Sequence, residues 1–196
     1  MLTSIVVMVV VGAGVALAAN ITCSGKNCLG TNQADNITGT SGIDFITAAS
    51  GNDTVNARGG ADDLNGDRAA DTLNGGGGGD KAYGGSGNDT INGGSSGDQA
   101  YGGSGNDTIN GGAGRDYGEG GRHVDTVKGQ GGNEDVSNVV DGQGNDFASG
   151  GDGDNDSCII DGEAPGGSAE IFGGPDANGD DFSNSCEFVY VAFQQP

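Results

Sequence analysis

An acidic residue recurs every nine positions through the middle of the chain. Asp80, Asp89, Asp98, Asp107, Asp116 and Asp125 each close a hexapeptide that is mostly rich in glycine, as in GGSGND at 84–89 and again at 102–107. Glycine leaves main-chain carbonyls open, and each Asp adds a charged oxygen donor, so the pattern suits a hard cation that prefers oxygen. Softer metals need Cys and His clusters. The chain has a single His, His123, and no Cys-x-x-Cys, so it supplies neither a zinc set nor a His-dependent nucleophile. A glycosidase-like pair could be drawn from the many acids, but a uniform repeat implies no substrate cleft. A non-catalytic protein is expected, with His123 as a turn residue.

The elements that position these acids are read from the same phase. Residues 75–128 divide into GGGGGDKAY, GGSGNDTIN, GGSSGDQAY, GGSGNDTIN, GGAGRDYGE and GGRHVDTVK, copies of Gly-Gly-x-Gly-x-Asp-x-apolar-x. Alternate copies match, so the full repeat is 18 residues. The register starts at Gly30 with GTNQADNIT and runs through GQGGNEDVS (129–137), a three-residue insertion Asn138-Val139-Val140, and DGQGNDFAS (141–149). A disordered Gly/Asp-rich tail would not keep an apolar residue at position eight in this way.

Positions seven to nine, x-apolar-x, form a minimal strand with position eight facing inward. Positions one to six form a turn. Two strand-turn units per coil predict an all-β fold, a parallel β-roll that is a two-sheet right-handed solenoid. Asp35, Asp53, Asp71, Asp89, Asp107 and Asp125 stack along one side, and Asp44, Asp62, Asp80, Asp98, Asp116 and Glu134 along the other. Ile37, Val55, Leu73, Ile91, Ile109 and Val127 are expected as one inward ladder, opposed by Ile46, Leu64, Ala82, Ala100, Gly118 and Val136. Ala82, Ala100 and Gly118 read as nearly empty inward positions, so the core is thin and folding is expected to depend on the metal.

GGSGNDTIN, present twice, resembles the repeat of the hemolysin-type, or repeats-in-toxin, calcium-binding proteins, over about residues 30–149. The sequences flanking the repeats, Cys28-Leu29-Gly30-Thr31 and Ser185-Cys186-Glu187, are similar to small secreted members with no attached enzyme. The resemblance implies several Ca2+ ions, each between two turns stacked on the same side. Backbone carbonyls and both position-six carboxylates would hold each ion. Carried onto this chain, the ligand set comprises Gly75, Gly77 and Asp80; Gly84, Ser86 and Asp89; Gly93, Ser95 and Asp98; Gly102, Ser104 and Asp107; Gly111, Ala113 and Asp116; and the carboxylates of Asp53, Asp62, Asp71 and Asp125. Neighbouring pairs are Asp71–Asp89, Asp89–Asp107, Asp107–Asp125, Asp80–Asp98 and Asp98–Asp116. Ala69 and His123 replace the position-four glycine, so their turns are expected to bind less well. Magnesium fits less well, since it demands stricter octahedral geometry.

Composition narrows the partners. The chain of 196 residues carries 44 Gly, 28 acidic and 7 basic residues, with net charge −21. That balance argues against nucleic acid and against anionic membrane surfaces. Calcium ions are the expected partners of a monomer. Residues 1–19 begin with an uncharged apolar run ending in Ala16-Leu17-Ala18, which reads as a cleaved signal peptide and predicts a secreted, extracellular protein. A membrane anchor is the other reading, but the run is short of the roughly 20 residues a span needs. Residues 20–29 are expected as an N-terminal cap, and 150–196 as degenerate repeats and a C-terminal cap. Four cysteines in an exported chain suggest two disulfides, and spacing pairs Cys23 with Cys28 and Cys158 with Cys186.

Three further features carry alternatives. Residues 152–163 (DGDNDSCIIDGE) and 176–187 (DANGDDFSNSCE) partly match an EF-hand loop, but both lack its central glycine and are read as degenerate repeats. Thr54, Thr72, Thr90, Thr108 and Thr126, with Asn56, Asn74, Asn92 and Asn110, are expected to form an outward ladder. Such an array is similar to calcium-dependent ice-binding or adhesive β-rolls, although Thr and Asn also suit strand surfaces and turns. Tyr83, Tyr101 and Tyr117 are expected outward on the opposite sheet. A detached accessory module of a secreted enzyme is a third reading.

Overall fold

The computed structural model describes residues 18–140, 146–153, 155–161, 170–171 and 188–192. The chain alternates short strands and tight turns, with no helix among the described residues. The strands are β1 (Asn20–Thr22), β2 (Asn27–Leu29), β3 (Asn36–Thr38), β4 (Phe45–Thr47), β5 (Thr54–Gly59), β6 (Asp63–Arg68), β7 (Thr72–Gly77), β8 (Lys81–Ser86), β9 (Thr90–Ser95), β10 (Gln99–Ser104), β11 (Thr108–Ala113), β12 (Tyr117–Arg122), β13 (Thr126–Gly131), β14 (Val136–Asn138), β15 (Phe147–Ser149), β16 (Ser157–Asp161), β17 (Glu170–Ile171) and β18 (Phe188–Ala192). Odd-numbered strands form one parallel sheet in chain order and even-numbered strands form the other. Every coil therefore adds one rung to each sheet, which is a parallel β-roll.

The 18-residue phase sets the register. Thr72, Leu73 and Asn74 pair with Thr90, Ile91 and Asn92, and those with Thr108, Ile109 and Asn110. Residues 20–29 join the same lattice, with Ile21 beside Ile37 and Cys28 beside Ile46. Cys23 and Cys28 form the expected disulfide, with Cα atoms 5.5 Å apart. Cys158 is also disulfide-bonded, and its expected partner, Cys186, lies outside the described residues. So does the segment read as a signal peptide, apart from its last two residues.

The strands of the central coils are six residues long, not three. They run from position seven of one nonapeptide to position three of the next, and the turn shrinks to positions four to six. Glycine is ordinarily depleted in strands, which hid this from the pattern. Here identical coils stack in register, and the glycines pair through their backbones, as Gly76 does with Gly94. Position one faces inward and is buried along with position eight.

The core lies between the sheets. Ile37, Val55, Leu73, Ile91, Ile109 and Val127 are at most 1% exposed, as the pattern predicts. Opposite them lie Ile46, Leu64, Ala82 and Ala100, all buried, and Gly118, paired with Ala100. Gly118 does not mark a void. A methyl group added to Gly118 would lie 2.5 Å from Val127 Cγ1 and 3.3 Å from Ile109 Cγ2. At Gly118 the bulky odd-numbered sheet fills the space that the missing side chain leaves.

The second ladder departs from expectation at its C-terminal end. Val136 pairs with outward Tyr117, while Ser137 pairs with Gly118 and is buried. Likewise Asp135, not Glu134, continues the acidic stack. The turn at 129–135 holds one extra residue, absorbed by Glu134 in a left-handed conformation (φ 65°). Glu134 itself points outward and pairs with Arg115 at 3.1 Å. Val139, expected in an insertion, is buried in the core. Part of the first EF-hand-like stretch simply continues the roll, since Asp156 is buried in the acidic row and Ser157–Asp161 is a strand. The second stretch, 176–187, lies outside the described residues.

Candidate metal centres along two rows of turns

Each turn presents one aspartate, and the coils stack these into two rows about 4.8 Å apart per rung. The first row holds Asp35, Asp53, Asp71, Asp89, Asp107, Asp125 and Asp146; the second holds Asp44, Asp62, Asp80, Asp98, Asp116, Asp135 and Asp156. All fourteen are at most 4% exposed. One carboxylate oxygen in each successive aspartate has a fixed task. Asp71 N–H donates to Asp89 Oδ1, Asp89 to Asp107 and Asp107 to Asp125, each at 2.8 Å. In the second row Asp80 donates to Asp98 at 2.7 Å and Asp98 to Asp116 at 2.8 Å.

The other oxygen is the observation that matters. Oδ2 of Asp53, Asp62, Asp71, Asp80, Asp89, Asp98, Asp107, Asp116 and Asp135 is buried and has no hydrogen-bond partner. Burying a polar atom unpaired is costly, and a charged one more so. Such groups in a native fold point to a ligand. The glycine at position one keeps room beside that oxygen. A methyl group on Gly84 would sit 2.5 Å from Asp89 Oδ2 and 2.7 Å from the Gly102 carbonyl oxygen. Gly93, Gly102 and Gly111 stand in the same relation to Asp98, Asp107 and Asp116. The cradle is thus a carboxylate oxygen beside main-chain carbonyls, with the space a Cβ would take left open.

The electrostatics agree. Burial pushes Asp53 and Asp80 up to about 6, and Asp71, Asp98, Asp107 and Asp135 up to about 7. The N–H bond from the preceding coil pulls each back, and neighbouring carboxylates of the row raise it further. Burial likewise raises Asp62, Asp89 and Asp116. A divalent cation between adjacent carboxylates would reverse both the desolvation and the repulsion.

Among the described residues no three His, Cys, Asp or Glu side chains converge on one point. The donor set is therefore one carboxylate per turn plus backbone oxygens, which is a set for a hard cation. Of the carbonyl positions expected, Gly75, Gly84, Gly93, Gly102 and Gly111 are buried beside the aspartates. The carbonyls of Gly77, Ser95, Ser104 and Ala113 already accept from Gly60, Gly78, Gly87 and Ser96 of the preceding coil, at 2.6–3.0 Å. Each keeps its second lone pair. Ser86 lies at the corresponding end of β8.

A family model for the RTX calcium-binding nonapeptide repeat matches in four copies, at residues 29–64, 65–99, 83–118 and 92–127. The chain belongs to that family. Compared with curated proteins and with solved structures, it matches none.

Two features of these RTX turns become specific only in the structure. Position four is left-handed throughout the central coils, and Ala69 (φ 77°) and His123 (φ 87°) adopt the geometry of the glycines they replace. Ser96 does the same at φ 84° in the turn 93–98, so that turn shares the substitution. The second feature is asparagine at position five. Asn88 Oδ1 accepts from Asn106 N–H at 2.9 Å, and Asn106 Oδ1 from Val124 N–H at 3.3 Å. These side chains fasten first-row turns to one another. Their shared spacing of 18 was visible in the sequence, but nothing there revealed the partner.

Proposed function

We propose that this protein is a secreted, non-catalytic calcium-binding β-roll whose central coils are ordered by several Ca2+ ions. The observation that carries the reading is the file of buried, unpartnered Oδ2 atoms, each beside an open glycine cradle. In this reading the ions lie between Asp71 and Asp89, Asp89 and Asp107, and Asp107 and Asp125 in one row, and between Asp80 and Asp98 and Asp98 and Asp116 in the other. Main-chain carbonyls of the same turns complete each shell. Secretion is supported by the apolar start of the chain and by disulfide-bonded cysteines, which persist in oxidising compartments. Circular dichroism during calcium titration of the EDTA-treated protein tests the reading. A sharp gain of β signal is expected with calcium, and at far higher concentration or not at all with magnesium. A spectrum unchanged by calcium would overturn it.

A second reading is favoured by one observation. Thr54, Thr72, Thr90, Thr108 and Thr126 are in register on one outward face. Beside them Asn74, Asn92 and Asn110 each donate to the preceding Asn side chain, at 3.1, 2.8 and 2.9 Å. A regular polar lattice of this kind suits adhesion to ice or another ordered surface. Thermal hysteresis measured on the calcium-loaded protein separates the two readings.

A further inference from the structure

The turns at the N-terminal end are closed differently from those further along. In the first row Thr31 N–H donates to Asp35 Oδ2 at 2.6 Å, and Thr31 Oγ1 donates to Oδ1 at 3.2 Å. Ala19 N–H adds a third bond to Oδ1 at 3.0 Å. In the second row Thr40 gives Asp44 Oδ2 both its N–H, at 2.6 Å, and its hydroxyl, at 3.0 Å. A position-two threonine thus supplies the chain's own hydrogen bonds to Oδ2, while Asp44 Oδ1 is buried without a partner. From Asp53 to Asp116 the corresponding Oδ2 has no such partner.

The next two turns differ in another way. Their position-one residues are Ala48 and Ala57, both wholly buried. In the 18-residue register these methyl groups stand at the position that is glycine in the turns beginning at Gly66 and Gly75. Asp53 and Asp62 thus carry an unpartnered Oδ2 without the position-one glycine of the turns beginning at Gly66 and Gly75. The apolar core changes at the same place. The even-numbered sheet contributes Cys28, Ile46 and Leu64, then Ala82, Ala100 and Gly118. The Cys23–Cys28 disulfide closes this end.

We propose that residues 20–64 form a metal-independent nucleus, and that both rows of cation sites begin only at the turns 66–71 and 75–80. This rests on the calcium reading of the preceding subsection. It separates the first of the matched repeat copies, 29–64, from the others: that copy keeps the fold of the repeat without its ions. The later coils then add onto a preformed end, each taking its register from the rung before it. Calcium governs how far the roll extends and leaves its starting point intact.

Hydrogen exchange with mass spectrometry on the full, disulfide-intact chain tests this, in EDTA and in saturating calcium. Peptides within 20–64 are expected to exchange slowly in both conditions, and peptides within 81–131 slowly only in calcium. Exchange of 20–64 in EDTA as fast as that of 81–131 would overturn the proposal. Slow, calcium-insensitive exchange of both segments would overturn instead the calcium reading beneath it. Two variants sharpen the boundary. Thr40→Val is expected to speed exchange of 39–47 in EDTA several-fold while leaving the calcium midpoint of 81–131 in place; no change at 39–47 counts against the threonine's role. The double variant Ala48→Gly, Ala57→Gly is expected to retain more calcium ions in native mass spectrometry. An unchanged ion count would overturn the assignment of the methyl groups as the barrier.

Discussion

Asp107 serves two neighbours with one carboxylate. Its Oδ1 accepts from the Asp89 N–H, while its Oδ2 has no hydrogen-bond partner and is the proposed cation ligand. Asp63, one position later in its own turn, is exposed at the start of β6. Asp107→Ala is therefore expected to raise the calcium midpoint for folding far more than Asp63→Ala, because two adjacent sites lose a ligand. Asp107→Asn makes a finer probe. It keeps shape and an acceptor but removes charge, so it is expected to weaken calcium binding while relieving repulsion in the calcium-free form. Titrations of the three variants, followed by circular dichroism, decide the matter; equal midpoints for Asp107→Ala and Asp63→Ala would refute position six as the ligand. Position one is constrained from the other side. In Gly102→Ala the new methyl would lie 2.5 Å from Asp107 Oδ2, and overpacking of this kind costs about 1–3 kcal/mol. A lowered melting temperature in calcium checks it.

The two sheets divide the work of filling the core. Ile91 is fully buried on the odd-numbered sheet, and truncation to Ala is expected to cost about 2–5 kcal/mol. On the even-numbered sheet the opposite substitution is the harmful one: Gly118→Ala forces a methyl against Val127 and Ile109, for about 1–3 kcal/mol. Denaturant unfolding in saturating calcium measures both. The nonapeptide phase made most of this legible. Ile91, Ile109 and Val127 could be placed inward and Thr90 outward because period-two alternation leaves no other choice once Asp89 is fixed in the turn. What was not legible depended on partners from other coils. Gly118 looked empty because a single strand does not show which side chain opposes it. Glu134 and Asp135 are adjacent acids, and only the coil stacked on them decides which one enters the row. Strand length was hidden because the glycines at positions one to three look like turn residues alone, yet pair well against copies of themselves. Carboxylate positions followed directly from spacing, whereas the orphaned Oδ2 atoms and the threonine bonds to Asp35 and Asp44 needed three dimensions.

At the scale of the molecule, the proposed calcium sites set acid and calcium against each other on the same atoms. Burial pushes Asp53 and Asp80 up to about 6 and Asp71, Asp98, Asp107 and Asp135 up to about 7, well above an ordinary carboxyl. Without calcium, a raised folded-state pKa favours the protonated fold. That contribution is complete below the unfolded value of roughly 4 and fades as pH climbs through 6 to 7. The calcium-free roll is thus expected to gain stability on acidification within this window. Binding runs the other way, since the ligand must be the carboxylate. Apparent calcium affinity is expected to rise between pH 5.5 and 7.5, and binding at pH 6 to release protons. A weakly buffered calorimetric titration reads both, and a pH-independent affinity with no proton release would contradict the assignment.

The outward face of the even-numbered sheet has a spectroscopic consequence. Tyr83 and Tyr101 stack at 5.0 Å between ring centroids, Tyr117 follows at 5.7 Å, and the Lys81 ammonium lies 5.0 Å from the centre of the Tyr83 ring. The chain has no Trp and only four Tyr. Three of its four strong ultraviolet chromophores are therefore held in one file, across three successive rungs that begin at residue 81. Their transitions couple only while those rungs are assembled. The near-ultraviolet exciton signal thus reports on the central coils alone, silent about residues 20–64, and follows their assembly without any label.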